Sequence, residues 1–165
     1  MYLTGYAWID SVVLLIFAFI IIMTGYKILR DSLAGIMDEA DKTLLTDVVS
    51  YLNKNRRENW MDLHNLRIIK YGAVLHVDCH LTVPYYFTID QGHQEVNILE
   101  SLVKQNFGES VELFVHLDGC LYAQCPLCFK RDCDVRQHPC QDKIQWTVAN
   151  VSTNHKHVAK ETALK

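Results

Sequence analysis

From Ser11 to Tyr26 the chain runs SVVLLIFAFIIIMTGY without a single charge. With Ala7–Asp10 in front and Lys27 behind, the segment reaches roughly twenty residues, the helix length that crosses a ~30 Å hydrocarbon core. A helix apolar on every side must be covered on every side, by lipid or by a large core, and nothing else in this chain is large enough to bury it. Tyr2, Tyr6 and Trp8 stand at the leading end, where an interfacial aromatic belt would sit. Lys27 and Arg30 follow the run and no Lys or Arg precedes it, so the positive-inside bias places the C-terminal side in the cytoplasm of a cell membrane. A secretory signal is the rival reading, but it calls for a basic start and a small-residue cleavage site, and neither is evident.

The chain has 165 residues, enough for one ordinary domain and an appendage. Its net charge of −3 gives no case for a nucleic-acid partner. Helical spacing continues from Lys27 to Met37, and Asp38-Glu39 marks a turn or hinge. Leu44, Leu45, Val48, Val49 and Leu52 predict an amphipathic helix over 42–53. His64–Tyr71 and Ala73–Val83 predict an antiparallel hairpin turning at Gly72. In the second strand Leu75, Val77, Cys79 and Leu81 form the core face and Val74, His76, Asp78 and His80 the other. A helix starting at Thr88 or Asp90 runs to about Phe107 with Val96, Leu99 and Val103 inward, and Gly108 ends it. Ser110–Asp118 is a third strand. The order α-β-β-α-β predicts a small α+β sandwich, with helices on one face of a three-stranded sheet. Domain boundaries fall at 1–40 for the transmembrane helix and hinge, 41–119 for the α+β domain and 120–165 for a Cys/His-rich extension. After Trp146 the chain is polar and predicts a loosely ordered tail.

Five histidines fall within the α+β unit: His64, His76, His80, His93 and His116. The i, i+2 spacing of His116 and Asp118 sets both on one face of the third strand, and His76, Asp78 and His80 share a face of the second. Imidazole and carboxylate together suit zinc and its first-row relatives. Scattered surface histidines are the plain alternative.

The run His64-Asn65-Leu66-Arg67, Gly72, Val77-Asp78-Cys79-His80-Leu81-Thr82-Val83-Pro84, His93 and Val115-His116-Leu117-Asp118 with Cys120 resembles the cytoplasmic domain of cation diffusion facilitators. Ser32–Asp38 resembles the exit from that family's last membrane helix. The resemblance implies a metallochaperone-like α+β fold that homodimerises in the cytoplasm and binds a divalent metal, zinc foremost, while histidine and carboxylate donors as such also accept iron, manganese, cobalt or nickel. It implies His64, His80, His93, His116 and Asp118 as ligands at the protomer interface, shared by up to two ions. It also implies a charge lock at Asp38. The family transports metal through a membrane bundle site supplied by other helices, and this chain offers one helix. The expected function is therefore the C-terminal part of a metal efflux transporter, with membrane lipid, the transported ion and a second copy as partners. The alternative is a membrane-anchored metal sensor without transport.

The remaining donors are Cys120, Cys125, Cys128, Cys133, His138 and Cys140. Thiols in the cytoplasm stay reduced, so Cys125-x-x-Cys128 with Cys133 and Cys140, or His138, points to a structural zinc site. An iron–sulfur cluster, unligated thiols and a redox role remain alternatives; the strand–helix setting of a thioredoxin motif is missing. Cys79 reads as a small buried hydrophobe. No catalytic triad, phosphate loop or paired-carboxylate motif is visible, so the chain is expected not to be an enzyme.

Overall fold

The structure is a computed structural model that describes residues 7–36, 42–71 and 74–159. Tyr2, Tyr6, the expected Asp38–Glu39 hinge and the Gly72 turn fall outside them. The chain divides into two units, Met1–Glu39 and Ala40–Lys165.

The first unit is helix α1, Ala7–Ile36. Its stretch Trp8–Ser32 is long and apolar enough to cross a membrane by length and composition, and none of it is buried by protein. Thr24 Oγ1 donates to the Ile20 carbonyl at 2.8 Å, so the hydroxyl needs no water, as a hydrocarbon setting requires.

In the second unit α2 (Lys42–Lys54) buries Leu45, Val48, Val49 and Leu52, a stripe at i, i+3, i+4 and i+7. Strands β1 (Asp62–Tyr71) and β2 (Val74–Val83) pair antiparallel. Helix α3 (Ile89–Phe107) begins at a capping box: Thr88 Oγ1 accepts from the Gln91 amide at 3.2 Å, and Gln91 Oε1 accepts from the Thr88 amide at 2.9 Å. Gly108, at φ 98°, closes it. Strand β3 (Val111–Gly119) then pairs parallel with β2, which is the pairing a helical crossover permits. The sheet order is β1-β2-β3.

One core joins α2, Leu99 and Val103 of α3, and Leu75, Val77, Cys79 and Leu81 of β2. The helices thus cover one sheet face and leave the other to His76, Asp78 and His80. Burial pushes the Cys79 thiol up to about 12. Where a purely apolar stripe is expected on α3, Val96 is only half-buried and Glu95 is buried. Its carboxylate accepts from Trp60 Nε1 at 2.8 Å, Asn59 Nδ2 at 2.6 Å and Arg57 Nε at 3.0 Å, as a buried charge must.

Past Gly119 the chain makes a 3-10 turn, Tyr122–Leu127, and a short helix α4, Val148–Val151. Over the described residues 147–159, the loosely ordered tail expected after Trp146 is not what forms. Trp146 and Val151 are members of the core, Thr147 caps α4, and the Thr153 carbonyl accepts from the Asn65 amide at 2.7 Å. A few apolar residues among many polar ones suffice because Arg56 anchors them. It donates to the Trp60 and Ile144 carbonyls at 3.0 and 2.8 Å, and its guanidinium lies 4.2 Å from the Trp146 ring. Burial lowers Arg56 to about 10, so it still carries its charge at neutral pH.

Candidate metal centre

Strand register builds the site. His64 pairs across from His80, and His80 across from His116. One row of imidazoles therefore spans all three strands on the face that the helices leave open. The next row is Asp62, Thr82 and Asp118. A β-bulge between His64 and Arg67, with Asn65 at φ 53°, shifts the register immediately after His64; bulges re-aim side chains in this way.

His64, His80 and Asp118 each offer a ligand atom, all within 4.8 Å of one another. Asp118 Oδ2 lies 3.4 Å from His64 Nε2 and 3.4 Å from His80 Nδ1, and Asp118 Oδ1 lies 3.5 Å from His116 Nδ1. Donors about 2.0 Å from a tetrahedral zinc are spaced about 3.3 Å apart, so the spacing fits such an ion. The His80 and His116 ring centroids are 4.5 Å apart, and those of His64 and His80 5.0 Å. His64 is only 3% exposed. Burial lowers its pKa, against the pull of Asp62 and Asp118, which favours the neutral ring that a metal needs.

His64 Nδ1 is buried and makes no hydrogen bond among the described residues. It stands 3.7 Å from Asp62 Oδ2, where a small shift would let the carboxylate orient the ring. Asp62, 1% exposed, is held in turn by the extension. It accepts from the His157 amide at 2.8 Å and from Gln124 Nε2 at 3.3 Å, and His157 Nδ1 lies 2.6 Å from its other oxygen. That bond raises the His157 pKa. Lys156 Nζ sits 3.5 Å from Asp118 Oδ1. Asp62, Lys156 and His157 escaped the sequence reading. The i, i+2 spacing of Asp62 and His64 was the one available signal for them.

His93 is exposed near the start of α3 and is not in the triad that meets among the described residues. His76 lies further along the sheet, its Nδ1 3.2 Å from Glu112 Oε2 and its ring stacked on Phe114. Cys120, Cys125, Cys128 and Cys133 line one small cavity, while His138 and Cys140 are exposed. Asp38 lies outside the described residues.

Residues 41–120 match a family model described as the cytoplasmic domain of cation efflux proteins. An uncharacterised transporter of Synechocystis sp. is 21% identical over 117 residues, covering 71% of this chain and 37% of that protein. The chain thus spans little more than a third of that relative. Two solved structures of CzrB, described as a candidate zinc transporter and in one case in its zinc form, are 17% and 18% identical. They cover 50% and 48% of this chain and 91% and 96% of theirs, with TM-scores of 0.46 and 0.45. The matching family is one of transporters rather than enzymes. Residues 41–120, just under half of the chain, are thus similar to the cytoplasmic domain of cation efflux proteins, the domain that the His64–Cys120 pattern resembles.

Proposed function

We propose that this chain is the C-terminal part of a zinc-type divalent metal efflux transporter in the cell membrane, and that its cytoplasmic domain senses the metal by dimerising around it. The observation that carries this is the imidazole row closed by Asp118, with donors 3.4 Å apart. His64, His80 and Asp118 hold the first ion. His116, with 65% of its side chain exposed, and the exposed His93 serve the face presented to a second copy. The bound ion adds positive charge among imidazoles and a carboxylate whose one cationic neighbour among the described residues is Lys156, so it favours the closed dimer by its differential affinity for that state. Transport itself belongs to membrane helices beyond α1, with the ion as cargo and lipid around the helices.

Zinc titration of the chain in detergent, with its mass followed in solution, tests this. Zinc is expected to convert monomer to dimer, and His80→Ala and Asp118→Ala each to weaken that response by at least about 100-fold, beyond the loss typical of outer-shell changes. Zinc-driven dimerisation that ignores both substitutions would overturn the assignment.

A further inference from the structure

The cysteines of the extension are sorted by the fold in a way that their spacing does not show. Cys120 follows directly on β3, and its amide donates to the Val83 carbonyl at 2.8 Å. Cys125 and Cys128 lie on and just after the 3-10 turn, whose end is closed by the Cys128 amide donating to the Cys125 carbonyl at 3.2 Å. Cys133 comes from the following loop. These four line one cavity of about 20 Å³, together with Met61, Lys130 and Arg136. Cys140 is exposed and does not line it.

We propose that Cys120, Cys125, Cys128 and Cys133 form a tetrathiolate site for one zinc-type ion, separate from the histidine/aspartate site. The small volume agrees with a single ion as ligand. A space of about 20 Å³ takes a single water or ion, whereas an iron–sulfur cluster is several atoms across. Charge agrees. Four thiolates around a divalent ion leave two negative charges, and Arg136 and Lys130 are on hand to offset them. Arg136 also clamps the loop. Its Nη1 donates to the Cys125 and Cys128 carbonyls at 3.2 Å each, and its Nη2 lies 3.8 Å from Cys128 Sγ. Without an ion the sulfurs do not converge as three donors within 4.8 Å, so the ion draws them in. On binding, four S–H protons pass to solvent and four sulfur–metal bonds form. An ion here fastens the extension to the end of the strand that carries Asp118.

The test uses the full chain in detergent, loaded with cobalt(II) as the probe. A thiolate-to-cobalt charge-transfer band is expected, retained in His80→Ala and in Cys140→Ser and lost in Cys120→Ser and Cys133→Ser. Alkylation of the unsubstituted chain with and without zinc guards against variants that misfold. Cys120, Cys125 and Cys133 should lose reactivity with zinc while Cys140 keeps it. The proposal fails if no thiolate band forms, if Cys140→Ser abolishes the band while Cys120→Ser keeps it, if zinc leaves the three thiols as reactive as before, or if the purified chain carries iron with acid-labile sulfide. Failure of the histidine site, read from His80→Ala, leaves this band untouched, so the two assignments stand or fall apart.

Discussion

Asp118 answers to four nitrogen-bearing side chains at once: His64, His80, His116 and Lys156. In the proposed site three are donors to the metal, and the fourth is a cation in competition with it. Removing that cation should strengthen metal binding, but only modestly, because an ion pair with solvent access is weak. Lys156→Gln is expected to tighten zinc by about three- to ten-fold in a chelator competition, a fraction of what Coulomb's law allows at such range. Asp62→Ala should act the other way, weakening zinc by about 10- to 100-fold through loss of ring orientation at His64. His157 has its own signature. Its pKa stands above the ordinary 6.5 because of the bond to Asp62, so the folded chain holds a proton that the unfolded chain releases first. Stability from this pair is complete below about pH 6.5 and fades as pH rises through the raised value. In chelator-treated protein, the melting-temperature gap between the unsubstituted chain and His157→Asn should therefore narrow from about pH 6 to about pH 9.

At the scale of elements, the turn from α3 into β3 rests on one glycine. Gly108 combines φ 98° with ψ 163°, a region in which a side chain costs about 1–3 kcal/mol. Gly108→Ala should lower unfolding free energy by that amount in a denaturant titration. Elements of this kind were legible in the chain itself. The α2 stripe, the alternation of Leu75, Val77, Cys79 and Leu81, and the Thr88 and Gly108 boundaries are local patterns with local causes. The bulge after His64 was not legible, because HNLRIIKY reads as an unbroken strand and only pairing with β2 reveals the extra residue. Nor was the inward Glu95 on α3. A carboxylate can be buried only where donors meet it, and those donors arrive from a loop some 35 residues earlier.

For the whole molecule, the segment beyond Gly119 is part of what holds the sheet together. Trp146 is 3% exposed beneath Arg56, and cutting it back to alanine should cost about 3–5 kcal/mol. A chain ending at Gly119 loses Trp146, Val151 and the Asp62 partners together. It should melt at lower temperature and with a broader transition than the intact chain, as circular dichroism would show. The periodicity of a core helix is absent from residues 120–159, so their part in the core was hidden in the sequence. The histidines and Asp118 were visible there as donors, whereas the imidazole row and the adjoining row that holds Asp118 became evident only through the register of all three strands.

The parallel pairing of β2 with β3 also sets an order of events during synthesis. The β1–β2 hairpin can close as soon as it emerges, but a parallel partner waits for the whole crossover to be made and packed. A nascent chain therefore exposes His64 and His80 early and gains Asp118 last. In the proposed site an ion finds its full set of donors only on a finished protomer, so metal capture there reports that folding is complete and has little purchase on chains still being made.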